Sequence, residues 1–229
     1  MASAKFVFAL WGARDPLGPA LTEACRAAGA RGLQVNVADA AVASAILRLS
    51  TFERPIEAVV CLLLPDDGDR DAMIAAVRAS ADRCAGWLVE ERVPLEPPAT
   101  EPGERTPGLA NIAFLRRPAD QPYDEWLECW QVRHTRVAIE TQATVGYVQN
   151  RVIEPVTPDD GVGARIGEVA AIVEEQFPIE ALTDPHAFYG TGGDTAELTE
   201  RVGRMMDSVA TFGADRDLDV VPTSRHRLF

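Results

Sequence analysis

The side chains best suited to chemistry gather in WLECWQVRHTRV, residues 126–137. Trp126, Trp130, His134 and Val137 stand at i, i+4, i+8 and i+11, which places them on one face of an α-helix, with Cys129 and Arg133 flanking. Two indoles and an imidazole turned toward a sheet make an apolar cleft with one titratable group. Such a histidine can take or give a proton near neutrality, and apolar neighbours favour its neutral, basic form. His134 is therefore the candidate general acid or base. Trp126 and Trp130 are the candidate aromatic wall for a ligand. The competing reading is a core helix face, its imidazole satisfied by a backbone carbonyl or a glutamate.

A second group lies in ATVGYVQNRVI, residues 143–153. Strand alternation puts Val145, Tyr147, Gln149 and Arg151 on one face, and Gly146, Val148 and Asn150 on the other. Tyr147 is the candidate hydrogen-bond donor or acid beside His134, and otherwise an interface tyrosine. Gln149 and Asn150 need partners in a strand buried on both sides, so they are candidate ligand contacts. Arg116 and Arg117 end a strand near the start of the Trp/His helix. Either could orient an acidic group of a ligand or make a surface ion pair. Glu140 and Gln142 could orient His134. His186, in a turn, and His226, in the tail SRHRLF, read as solvent-facing.

Several chemistries are excluded. GVGARIG (161–167) precedes a strand and lacks the dinucleotide spacing. GTGGDT (190–195) opens a helix but lacks the lysine of a phosphate-binding loop, so it reads as a flexible helix entry. No nucleophile elbow, zinc-protease motif or carboxylate pair occurs, and three scattered histidines do not make a metal centre. No metal and no cofactor are expected. Cys25, Cys61, Cys84 and Cys129 have no CxxC spacing and read as buried free thiols in a reducing cytoplasm.

These residues must be held by a fold. At 229 residues, 47% hydrophobic and 25% charged, the chain can bury a substantial core. The formal net charge of −13 argues against nucleic acid and against anionic membrane surfaces. Apolar runs are too short to span a bilayer, and the N-terminal FVFALW run reads as a strand rather than a signal peptide. Strand and helix patterns alternate as 5–11 β, 16–30 α, 32–39 β, 41–49 short helix, 57–65 β, 69–83 α and 85–95 β. A Pro/Gly/charge-rich stretch, 96–108, reads as linker. The order then repeats as 109–117 β, 122–140 α, 143–153 β, 164–177 β, 178–190 short helix and turn, 194–213 α and 216–222 β. The expected fold class is α+β: two tandem ferredoxin-like βαββαβ units forming an intramolecular eight-stranded barrel. The expected division is a degenerate first repeat (1–97), a linker (98–108) and a second repeat (109–229).

Within the second repeat, Leu115–Arg116–Arg117–Pro118, then Trp130-Gln-Val-Arg-His134, then Tyr147–Val148–Gln149–Asn150 resemble the EthD-like family of dimeric α+β barrel proteins. The likeness is most specific over residues 109–155, and looser on to 222. The first repeat matches in order of elements alone; its helix 16–30 has neither Trp nor His. The resemblance implies the barrel fold and a site in the second repeat. Founding members are associated with breakdown of xenobiotic ethers, and related barrels include cofactor-free monooxygenases, cyclases, isomerases, haem-degrading enzymes and dehydratases. The expected function is a cofactor-independent lyase, dehydratase or isomerase acting on an aromatic or polyketide-like compound, with His134 as acid/base. The alternatives are a cofactor-free monooxygenase, or a non-catalytic protein that binds a hydrophobic ligand or haem. The expected partner is a small hydrophobic or aromatic ligand, and pairing of two chains as a homodimer stays open.

Overall fold

The computed structural model describes residues 3–158 and 167–229. The first unit comprises β1 (Ser3–Trp11), α1 (Pro19–Ala27), β2 (Gly32–Val37), β3 (Ala58–Pro65), α2 (Arg70–Ala79) and β4 (Arg83–Leu95). After a two-residue strand β5 (Glu104–Arg105), the second unit begins with β6 (Leu109–Arg116), α3 (Tyr123–Leu127) and α4 (Thr135–Thr141). It continues with β7 (Gly146–Pro155), β8 (Val169–Phe177), α5 (Pro185–Tyr189), α6 (Thr195–Ala210) and β9 (Leu218–Arg227).

The strands form one antiparallel sheet in the order β2-β3-β1-β4-β7-β8-β6-β9, closed by pairing of β9 with β2. Each unit contributes four strands in the ferredoxin-like order, and the units join edge to edge at β4–β7 and β9–β2. Closure removes the exposed edges that either four-stranded sheet would have alone. The 96–108 stretch is more than a tether, because β5 pairs with the C-terminal end of β9.

Along most of their length the barrel strands are buried on both faces, which is why runs such as VVCLLL are apolar, with Leu63 its one exposed residue. One face fills the lumen, where Trp11, Phe52, Phe114 and Trp87 meet in sequence, with ring centroids 5.6, 6.1 and 5.9 Å apart. Eight strands enclose a space that side chains can fill. Toward one end the lumen turns polar: Arg225 pairs with Glu174 at 3.1 Å, Gln34 donates to Glu174 at 2.6 Å, and Asn36 donates to Thr223 at 3.1 Å. The other face of each half-barrel is covered by its own helices. Asp69 caps α2 and Asp194 caps α6, each carboxylate accepting backbone N–H groups of the first turn.

Some elements differ from the sequence reading. Within 41–49 no helix forms; a 3-10 turn at Ala40–Val42 leads into a long connection stitched to the second unit. Ile46 N–H donates to Leu182 O at 2.9 Å, Leu49 and Val220 exchange backbone hydrogen bonds of 3.1 and 2.9 Å, and Thr51 Oγ1 donates to Asp219 at 2.8 Å. Burial of Leu47 against the second unit outweighs the local helix pattern. The last strand runs on to Arg227, so His226 lies within β9 and is half-buried, not in a free tail. Most of GVGARIG, and the start of the 164–177 strand, lie outside the described residues.

Candidate functional site

The stretch 122–140 is one helical rod with an interruption. Between α3 and α4, Glu128–His134 winds as a π-helix. Its wider i→i+5 turn brings residues four apart closer to eclipse than an α-helix does, so Trp126, Trp130 and His134 stay aligned and are all buried. The extra residue in the turn shifts the register beyond it. Ala138 and Thr141 continue the buried face, and Val137 is only half-buried.

That face covers the β6–β7–β8 surface. Trp126 and Trp130 pack with ring centroids 5.2 Å apart, and neither indole N–H has a hydrogen-bond partner among the described residues. His134 is 7% exposed. Its ring lies 4.7 Å from that of Phe212, and its Nδ1 is 3.0 Å from Ser208 Oγ of α6. Burial pushes its pKa down to about 4, so the imidazole is neutral over the physiological range. With Nδ1 held by the serine hydroxyl, Nε2 has no protein partner among the described residues.

A cavity of about 210 Å³ opens between this helix, α6 and the sheet. Trp130, His134, Tyr147, Val173, Glu175, Met205 and Phe212 line it, with Leu47 and Leu49 reaching in from the first unit. No Lys or Arg lines it among the described residues. The turn from α6 into β9 closes one side. Gly213 has φ +82°, and a Cβ there would sit 2.5 Å from Pro118 Cγ, so only glycine lets Phe212 and Ala214 face inward.

Tyr147 and Glu175 are directly opposite each other in the β7–β8 ladder. Burial holds the Tyr147 phenol well above its ordinary pKa; the Glu175 carboxylate adds to the rise and Gln149 opposes it. Burial also pushes Glu175 up to about 7, leaving a carboxyl group that can donate or accept a proton near neutrality. No hydrogen bond to the Glu175 carboxylate is made among the described residues. Gln142, at the end of α4, lines the same cavity with a buried and unpartnered Oε1.

The structure brings His134, Tyr147 and Trp130 to one cavity, with Trp126 packed against Trp130 at a tilt of 31°. Gln149 faces the same layer, and its amide donates to Thr135 Oγ1 at 2.9 Å. Two other sequence candidates are elsewhere. Asn150 and Arg116 belong to the lumen face: Asn150 lies opposite Glu91 and Ile172, and Arg116 pairs with buried Asp219 at 2.7 Å and stacks 4.7 Å over Phe52. Alternation separates both from His134. His186 is tied to Thr191 Oγ1 at 2.7 Å, away from the cavity lining.

Sequence reasoning missed Glu175 and Ser208. The signal for Glu175 was present in VEEQF: consecutive carboxylates in a strand covered on both faces must send one to each layer. Glu174 goes to the lumen and Glu175 to the helix side. Ser208 carried no signal, since its role depends on how α6 crosses the π-segment. A second cavity of about 350 Å³ opens at the polar end of the barrel, where Lys5 pairs with Glu91, Arg225 pairs with Glu174 behind the lining, and Arg31, Glu96 and Arg227 also face the opening. All four cysteines are buried, and none is in a disulfide. Among the described residues no His/Cys/Asp/Glu group is arranged to hold a metal, and no helix is long and apolar enough to cross a membrane.

No protein-family model matches the chain, and comparison with curated proteins finds no match. Solved structures do resemble it. An anthrone oxidase-like protein superposes with a TM-score of 0.53 at 9% identity, over 99% of this chain and 93% of that one. A candidate monooxygenase from Lactobacillus acidophilus gives 0.46 at 10% identity, over 98% and 94%. A variant of chlorite dismutase from Candidatus Nitrospira defluvii gives 0.46 at 8% identity, over 99% and 92%. The fold is that of the dimeric α+β barrels, built here within one chain.

Proposed function

We propose that this chain is a cofactor-independent enzyme that moves protons on a small aromatic or polyketide-like compound, as a lyase, dehydratase or isomerase. The observation that carries this reading is a neutral imidazole, oriented by Ser208 and with Nε2 unpartnered, on an apolar cavity that also holds a phenol and a carboxyl group. His134 is the general base, Tyr147 the donor beside the reacting group, and Trp130 the wall against which a flat substrate lies. Neither Arg116 nor Asn150 takes part, because both face the lumen. The LRRP, WQVRH and YVQN segments support kinship with EthD-like proteins. The four buried thiols support a reducing, cytoplasmic setting. Replacing His134 by Ala is expected to abolish turnover while the melting transition survives. Undiminished activity of the folded variant removes His134 from the chemistry.

A second reading is a cofactor-free monooxygenase acting on an electron-rich phenol. It is supported by the Trp126–Trp130 pair beside the cavity and by the fold shared with the anthrone oxidase-like protein. Oxygen consumption with a phenolic substrate separates it from the first reading. A ligand bound tightly and recovered unchanged points instead to a binding protein.

A further inference from the structure

The cavity of about 350 Å³ at the polar end of the barrel shares no lining residue with the cavity beside His134. Residues of β1, β2, β3, β4 and β9 line it, and residues 96–100, at the start of the inter-unit connection, add a further wall. The lining carries four cations, Lys5, Arg31, Arg225 and Arg227, against two carboxylates, Glu91 and Glu96. Counting Glu174 behind Arg225 still leaves one positive charge in excess. The whole chain has a formal net charge of −13, so this mouth has the opposite sign to the molecule around it.

The pairing shows where the excess lies. Lys5 is paired with Glu91, and Arg225 with Glu174 at 3.1 Å. Arg225 also donates from Nε to Gln34 Oε1 at 2.8 Å and from Nη1 to Thr106 Oγ1 at 3.0 Å. These bonds fix its guanidinium and leave Nη2 without a partner among the described residues. Arg227 donates to the backbone oxygen of Thr100 at 3.1 Å and has no carboxylate partner among them. The side chains of Arg31 and Glu96 make no hydrogen bond or ion pair among them. Cations gathered around a concavity focus their field into it, and the guanidinium fork matches carboxylate and phosphate oxygens in pairs.

We infer that the open end of the barrel binds a small polar anion through a carboxylate or phosphate group held by Arg31 and Arg227, with Arg225 as the fixed donor deeper in. A cationic guest would add to the excess. An apolar guest would strip water from charged groups and return nothing to them. This site is independent of the proton chemistry proposed at His134.

The test uses four probes with one polyol body, titrated calorimetrically into the full chain at pH 7: glucose, gluconate, glucose 6-phosphate and glucosamine. Salt is held at about 0.15 M, where attraction between exposed charges is largely screened beyond about 8 Å. At least one of the two anions is expected to bind at least about tenfold tighter than glucose, the worth of one charge-assisted hydrogen bond. Glucosamine is expected to bind weakest. Whichever anion is preferred names the head group. Arg31→Gln combined with Arg227→Gln is expected to erase the preference while the melting transition survives, and Glu96→Gln is expected to tighten anion binding. His134→Ala is expected to leave it unchanged. Glucose or glucosamine binding as well as the anions overturns the inference, as does an anion preference that survives the double arginine variant. Loss of anion binding in His134→Ala would put the anion in the other cavity and also overturn it. Binding of neither anion at this salt concentration shows that the charges only pair with one another, and the site falls.

Discussion

The two halves of the barrel share a topology and differ in what lies between sheet and helices. In the first unit, the register row at the start of β2 reads Leu33–Leu62–Phe6; in the second, the row at the start of β7 reads Tyr147–Glu175–Asn111. Two residues further along, β1 presents Phe8 opposite Gly86, and β6 presents Ala113 opposite Val220. Phe8 lies over Gly86 so closely that a Cβ there would meet its ring at 2.3 Å. The outer helices match this contrast, with Leu21 and Cys25 of α1 against Trp126, Trp130 and His134 of the second unit. One half is filled and uniformly apolar; the other is hollow and carries every titratable group of the candidate site. The difference teaches that a duplicated scaffold can separate stability from function. The first unit also supplies the second with part of its wall, through Leu47 and Leu49.

The strongest way to break this division is to exchange the rows. Leu62→Glu buries an ionisable group in a filled layer with no partner, and is expected to destabilise the fold by about 3–5 kcal/mol, or to force the carboxyl to stay protonated. Glu175→Leu at the matching position is expected to be neutral or stabilising by about 1 kcal/mol, since it removes a carboxyl that burial already disfavours. Urea unfolding of the two variants compares them directly. Equal losses in both would mean that the second layer is as much a structural core as the first.

A subtler test uses pH, because His134 and Glu175 are shifted in opposite directions. The His134 value of about 4 lies below its ordinary 6.5, so between these values the unfolded chain binds a proton that the folded chain does not. Its contribution to stability is lost as pH falls through that window. The Glu175 value of about 7 lies above its ordinary 4.5, so the folded chain holds a proton there that the unfolded chain releases. Its contribution is lost as pH rises from 4.5 to 7. Between pH 4.5 and 6.5 the two oppose each other. His134→Gln should therefore make stability fall more with rising pH than in the parent, and Glu175→Gln should make it rise more. Each change in slope is at most about 1.4 kcal/mol per pH unit. Urea midpoints measured across this window check the sign. Changes of the same sign in both variants would show that the two groups are not both buried in one layer. No counterpart of either exists in the first unit's row.

Much of this contrast was legible in the sequence. The tandem order of elements comes from hydrophobic periodicity, and the absence of Trp and His from 16–30 already marked the first repeat as different. Alternation also separated Tyr147 and Gln149 from Asn150 correctly. Depth and register could not be read. Arg116 looked available to a ligand because it ends a strand, but its partner Asp219 is 103 positions away and is identified only by the β6–β9 pairing. Asn111 and Glu175 become a row only once β6 and β8 are paired. The π-segment escaped because an extra residue in a turn leaves the apolar pattern nearly intact and shifts only the buried position beyond it, from Val137 to Ala138.

An exchange expected to change stability little is also the sharpest probe of the hollow. In the first unit the ring of Phe8 occupies the volume that Ala113 leaves empty in the second. Ala113→Phe should place an aromatic ring into the cavity of about 210 Å³. Filling it gains contacts where there were none, while any mismatch of shape costs a comparable amount. The net change is expected to stay within about 1.5 kcal/mol. Ligand binding should respond very differently, because the space between Trp130 and Val173 is where a flat body must lie. A variant that melts with the parent and no longer binds an aromatic probe would show that the hollow is kept for a ligand. Undiminished binding would move the site elsewhere, and with it the reason the second half differs from the first.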